Sequence, residues 1–441
     1  MFLKQLTKHH IFKLLLQPLN FQKSDISSIY DSINLKNQLS QIAHDAIRYK
    51  LLPSEKRELT YEEKNNDRIV QSYFSYAEYN IRVYESINTK IDNLQVNYPR
   101  NCYYEVILPC KTNKNIAKLM ELFDKRTVRL GRLFELYDYV ATTVAYKYVY
   151  VKQAVIMAAC VDNIQFYQNV CPSKDIVLRG YPTFIGSSSI EVQLDLLQEN
   201  IDTQQLQLIG KANFLLVARN KDNIKFAHLV PKLLFDEENN LKNCQLLYLL
   251  GQQNQQQRKN ASLTSLKKQP PSQQENLIIH NFFTSEDMKK NKRQINHTRL
   301  DKNIIMHKQD SNLHGNIFGG YLMREAYELG WLCGTLHAET QQIVISAIDD
   351  FQFINGVEVG SILELNAQVG YVSYDNVMHI VVECFSVNKQ LQVLKTNDLH
   401  LTFVLDQLNP IKIQQVYPNT YKEAMVYLDS QRRVKKCMHN H

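Results

Sequence analysis

The sequence predicts an α+β protein built from two similar domains in tandem, each a helix followed by an antiparallel sheet. One observation is an echo 187 positions apart (348 less 161), in which Val161-Asp162-Asn163-Ile164-Gln165-Phe166 matches Ile348-Asp349-Asp350-Phe351-Gln352-Phe353. Without a gap, the same offset pairs Thr183-Phe184-Ile185 with Gly370-Tyr371-Val372, Ile190 to Leu194 with Val377 to Val381, and Phe214 to Val217 with Leu401 to Val404. Strand-like segments repeating in one register mark an internal duplication. The other observation is that a helical apolar stripe precedes the strands in both halves.

In the first copy that stripe is Leu133, Leu136, Val140, Val144 and Ala145, in a helix opened by Gly131-Arg132. Leu322, Ala326, Leu329 and Cys333 repeat the spacing after Gly319-Gly320 in the second. Small residues at Ala326, Gly330, Cys333 and Gly334 leave room for a sheet to approach that helix closely. The β-branched runs that follow are separated by turn signals such as Gly186-Ser187-Ser188, Asn355-Gly356 and Asp375-Asn376.

At 441 residues the chain exceeds what one core holds, about 250–300 residues. Its 44% hydrophobic and 22% charged residues exclude a wholly disordered protein. The predicted organisation is a targeting segment at 1–24, an N-terminal extension at 25–95 and a first domain at 96–236. A polar linker at 237–274, a second domain at 275–410 and a helical tail at 411–441 follow. The linker carries QQNQQQRKNASLTSLKKQPPSQQ (252–274), too polar to bury a core of its own.

The net charge of +7 is dispersed, and its densest cluster, Arg432, Arg433, Lys435 and Lys436, lies in the C-terminal tail. That cluster reads as solvated, and no nucleic-acid partner is expected, since a nucleic-acid footprint concentrates basic residues on one face. Eight cysteines show no CxxC pair, and Cys160, Cys333 and Cys384 sit in apolar segments, as reduced buried thiols do. Cys437, His439 and His441 crowd a terminal tail, a weak metal signal; no metal and no cofactor is expected. The first 24 residues carry Lys4, Lys8, Lys13 and Lys23 with no acid before Asp25, the composition of a mitochondrial presequence. No apolar run approaches the roughly 18 residues that a membrane-spanning helix needs, so no span is expected.

Chemistry concentrates at Asn312-Leu313-His314-Gly315-Asn316-Ile317-Phe318-Gly319-Gly320, which leads into the second helix. The glycine pair lets backbone come close to a ligand, and the first free amides of the helix can hold an oxyanion. The same glycines would also serve a tight loop and close packing alone.

The runs HGNIFGGYLMREAYELGW, AIDDFQF, VEVGSILELNAQV and VYPNTYKEAMVYLDSQRR resemble the mitochondrial acyl-coenzyme A thioesterases of the double-hotdog type. VRLGRLFELYDYVA and GSSSIEVQLDL in the first half, and SLKKQPPSQQENLIIHNFF between the halves, are similar to corresponding segments of that family. The resemblance spans about residues 95–435 and implies tandem hotdog domains, each an antiparallel sheet wrapped around a long central helix. It also implies hydrolysis of fatty acyl-CoA to free fatty acid and coenzyme A, a mitochondrial matrix location and assembly into a homo-oligomer.

By that resemblance the catalytic residues are Asp138, on the first helix, and Asn312, in the loop of the other half. Asn316, Gly319 and Gly320 would bind substrate, Asn316 being the alternative loop amide, and Glu135 lies one turn before Asp138. A carboxylate would activate water or attack the thioester, and amide groups would hold the oxyanion. His314 reads as a loop or supporting residue rather than a base. The reciprocal site looks lost, with Tyr327 at the helix position where a carboxylate is expected. Leu136 stands where the family helix usually carries an acid. The alternative reading is therefore an inactive hotdog subunit with a structural role in a large mitochondrial assembly, a respiratory-chain complex or mitoribosome.

Overall fold

A computed structural model describes residues 102–122, 127–149, 155–219, 230, 241–312, 314–405 and 411–439. The predicted targeting segment and N-terminal extension lie outside these residues. The first copy contains β1 (Tyr104–Leu108), α1 (Lys114–Met120), α2 (Leu130–Tyr148), β2 (Val155–Phe166), β3 (Ile176–Ile185), β4 (Ser189–Glu199) and β5 (Leu206–Arg219). Helices α3 (Leu241–Thr264) and α4 (Gln273–Thr284) and the short β6 (Arg293–Gln294) follow. The second copy contains β7 (Leu300–Ile305), α5 (Gly319–Ala338), β8 (Ile343–Phe353), β9 (Ile362–Val372), β10 (Val377–Val387) and β11 (Val393–Leu405). It ends in β12 (Val416–Tyr417), paired with β6, and α6 (Tyr421–His439).

One antiparallel sheet of ten strands runs β1-β3-β4-β5-β2-β8-β11-β10-β9-β7, so each half has the same order read outward from the β2–β8 seam. The seam carries the signature of the duplication. Val161 pairs with Phe351 and Ile164 with Ile348; the partner of each is the residue 187 positions beyond the other. Such reciprocal pairing is what an approximate twofold axis through the seam requires.

Helices α2 and α5 lie against each other inside the sheet, which makes each half a hotdog domain. Helix α2, LGRLFELYDYVATTVAYKY, is buried from Leu133 to Tyr146, with Arg132, Glu135, Asp138 and Thr142 recurring along one otherwise buried face. In α5, Gly330 and Gly334 face the sheet so closely that a Cβ would stand 2.3 Å from Leu401 Cδ1 and 2.8 Å from Ile380 Cδ1. Small residues there are a packing requirement, as their spacing suggests.

Two expectations differ from the structure. The polar stretch at 252–274 is helical through Thr264, continuing α3, and resumes as helix at Gln273 behind a capping box of Ser272 and Glu275. Its Arg258 bridges Asp162 on β2 and Glu191 on β4, the latter at 2.7 Å and only 1% exposed, so long-range ion pairs supply what apolar contact does not. The two arginines of the C-terminal basic cluster, expected to be solvated, are docked, while Lys435 and Lys436 are exposed. Arg432 makes a bidentate bond to Glu275 of α4 at 2.6 and 2.7 Å, and Arg433 holds Asp429 at 2.9 Å beside Asp349 and Asp350 of β8. Acidic partners on other elements, invisible along the sequence, explain the difference.

Candidate active site

Helix α5 begins without a side-chain cap. Its first-turn amides therefore need acceptors from elsewhere, and one comes from the other half. The Gly320 N–H donates to Asp138 Oδ2 of α2 at 2.7 Å. Close approach depends on the glycine pair: a Cβ on Gly319 would stand 2.9 Å from Asp138 Oδ2, and one on Gly320 2.8 Å from Glu135 Cα.

Asp138 is 3% exposed. Thr142, one turn on, donates to its other oxygen at 3.5 Å. Burial pushes its carboxyl up to about 6, against the two hydrogen bonds that pull it down. Among the described residues no ion pair relieves it. Arg132, two turns earlier on the same helix, binds Glu135 at 2.8 Å, and Arg324 from α5 binds the other Glu135 oxygen at 2.8 Å. Of the two adjacent buried acids, Glu135 is thus held in a cross-domain ion-pair network, whereas Asp138 faces amides and a cleft.

That cleft, about 300 Å³, is bordered by Asp138, Asn312, Asn316 and Gly319. Gly320 sits behind it on Asp138. The loop is shaped by the Asn312 side chain, whose Oδ1 accepts the N–H of His314 at 2.9 Å and of Asn316 at 3.3 Å, while Gly315 takes φ +79°. With Oδ1 so occupied, the Asn312 Nδ2 amide is the donor end available to a ligand. Asn316 lies against Gly356, where a Cβ would be 3.3 Å from its Oδ1. Apolar walls come from both halves, among them Ile156, Met157, Leu322 and Phe353.

Sequence reasoning passed over Thr142 and Tyr146, which also border the cleft. Their spacing was the signal: 138, 142 and 146 fall on one face of a helix. The Tyr146 hydroxyl accepts the Ile156 N–H at 3.2 Å and lies 2.9 Å from His314 Nε2.

The twofold-related position is built differently. Seven residues beyond Gly131 stands Asp138, and seven beyond Gly320 stands Tyr327, whose ring packs edge-on to Phe134 with centroids 5.1 Å apart. The Leu122 N–H donates to Thr127 O at 2.9 Å just as the Asn312 N–H donates to Asn316 O at 2.7 Å, so Leu122 occupies the place of Asn312. Where α5 offers its N-terminus to Asp138, the start of α2 carries Arg129, bound to Glu328 at 2.8 Å. Both candidate side chains, Asp138 and Asn312, have different residues at the related positions, as the sequence suggests for Tyr327.

No family model matches the chain. Among characterised proteins, mitochondrial acyl-coenzyme A thioesterase 9 of Mus musculus is 32% identical over 360 residues, 76% of this chain and 78% of that protein. The Homo sapiens protein of the same name is 30% identical over 361 residues, 77% and 79% of the two chains. Among solved structures, a Staphylococcus aureus acyl-CoA hydrolase in complex with butyryl coenzyme A, coenzyme A and coenzyme A disulfide is 27% identical. It covers 33% of this chain and 88% of its own, with a TM-score of 0.31.

Proposed function

The chain belongs to the family of the mitochondrial acyl-coenzyme A thioesterases 9 and 10, and from that premise we propose that Asp138 and Asn312 form its one hydrolytic site, shared between the two halves. The protein hydrolyses acyl-CoA to a free acid and coenzyme A. The observation that carries the site assignment is the buried Asp138 carboxylate bonded to the amide that opens the facing helix.

In this reading a water molecule attacks the thioester carbonyl carbon while Asp138 takes its proton. The carbonyl π electrons move onto oxygen, and the Asn312 amide and first-turn amides of α5 stabilise the charge. Collapse re-forms the carbonyl and breaks the carbon–sulfur bond; the sulfur leaves with the bonding pair and receives the proton from Asp138. The Gly320 amide keeps the carboxylate aimed, and burial raises its basicity toward neutral pH, where a general base works best.

Purified protein should release thiol from acyl-CoA. Asp138→Asn should lower kcat by about 10³-fold or more, and Asn312→Ala by about 10²-fold, the range for removal of one oxyanion donor. Unchanged turnover in both variants would remove the site assignment. The protein is mitochondrial, like its relatives; the matrix and a homo-oligomeric state are finer parts of the proposal. Submitochondrial fractionation and sedimentation test them.

A further inference from the structure

We propose that Tyr146 and His314 are positioning residues, a hydrogen-bonded strut that holds the Asn312 loop of the second domain in register with Asp138 of the first. The inference rests on the hydrolytic reading of the cleft and adds to it two side chains with no role in the steps above.

The strut is a continuous series of bonds. The Ile156 N–H of β2 donates to the Tyr146 hydroxyl at 3.2 Å, the hydroxyl meets His314 Nε2 at 2.9 Å, and the His314 N–H donates to Asn312 Oδ1 at 2.9 Å. Tyr146 is 7% exposed and shares a helix face with Asp138, two turns away. His314 stands beside Gly315, at φ +79°, in a loop reaching Gly319 and Gly320. Besides the Gly320–Asp138 bond, this is a tie from the loop to the helix that carries the acid, and it ends on the amide that would meet the oxyanion.

The bond directions follow from chemistry. The Tyr146 oxygen already accepts from Ile156, and His314 Nε2 is the acceptor within reach of its proton among the described residues. Burial lowers the affinity of the imidazole for a second proton, which disfavours the doubly protonated ring that could only donate. Which ring nitrogen carries the proton is set by the bond the other makes; here the proton sits on Nδ1.

A strut that sets distances between reacting groups affects kcat more than KM, because misplacement by about 1 Å far from any binding contact costs up to about 10²-fold in rate. His314→Ala and Tyr146→Phe should each lower kcat by about 10- to 100-fold with KM within about threefold. The double variant should be no worse than the more impaired single, since both remove one bond. His314→Gln, whose amide oxygen reaches where Nε2 does, should restore most of the turnover lost in His314→Ala. Unchanged kcat in His314→Ala, losses that multiply in the double variant, or losses confined to KM would overturn the strut.

A second readout does not depend on turnover. In the ¹⁵N spectrum of histidine-labelled protein, with His314 assigned by its absence in His314→Gln, Nε2 should be unprotonated in the wild type and protonated in Tyr146→Phe. No change between the two overturns the strut. Absence of thioester hydrolysis in the wild type, by contrast, overturns the hydrolytic reading and leaves this spectroscopic result to judge the strut.

Discussion

At the scale of single residues, the contrast between Glu135 and Asp138 decides which acid is available for chemistry. Both are buried on one helix, 2% and 3% exposed, but Glu135 is neutralised by Arg132 and Arg324 while Asp138 is met by an amide and a hydroxyl. Desolvation without a cation raises the carboxyl to about 6. The working form is the ionised one, so activity should be present above that value and lost as pH falls through it. The acidic limb of kcat/KM should centre near 6; a limb near the ordinary aspartate value of about 4 would show that the acid is solvated or is another residue.

At the scale of elements, the site depends on a helix N-terminus that has no cap of its own. Gly320→Ala would place a methyl 2.8 Å from Glu135 Cα and 3.2 Å from Asp138 Cβ, so α5 must withdraw from α2. The expected result is a roughly 10²-fold loss of kcat, out of proportion to any change in melting temperature. Helix α3 makes a different demand, since removing Arg258 strands Glu191 and Asp162 without their cation. Arg258→Ala should destabilise the protein by about 3 kcal/mol in a chemical denaturation series, with Arg258→Lys intermediate.

These elements also show what a sequence discloses. Strands β4, β5, β9 and β11 were readable because apolar and polar side chains alternate along them, and the segments in β3 to β5 recur in β9 to β11 at one offset. Helix α3 was not, because the partners that hold it are distant in sequence: those of Arg258 lie 96 and 67 residues earlier, and Tyr248 packs on Phe184. Docking of the C-terminal helix escaped notice for the same reason, the Arg432 partner being 157 residues away. In the site, the glycine pair, Asp138 and Asn312 were named on resemblance, and the structure brings all of them to one place. The Tyr146–His314 bond joins residues 168 positions apart, and no local pattern announces it.

At the scale of the molecule, duplication has produced an asymmetric pair from a symmetric one. The seam register keeps the approximate twofold axis, yet Asp138 is answered by Tyr327 and Asn312 by Leu122 across it. On the proposed assignment each half supplies what the other lacks, α2 the acid and the second loop the amide and the glycine pair. The account therefore turns on one composite site per chain. Isothermal titration of the full-length protein with a non-hydrolysable thioether analogue of acyl-CoA counts those sites directly. The account predicts one analogue bound per chain; two equivalent sites per chain would contradict it.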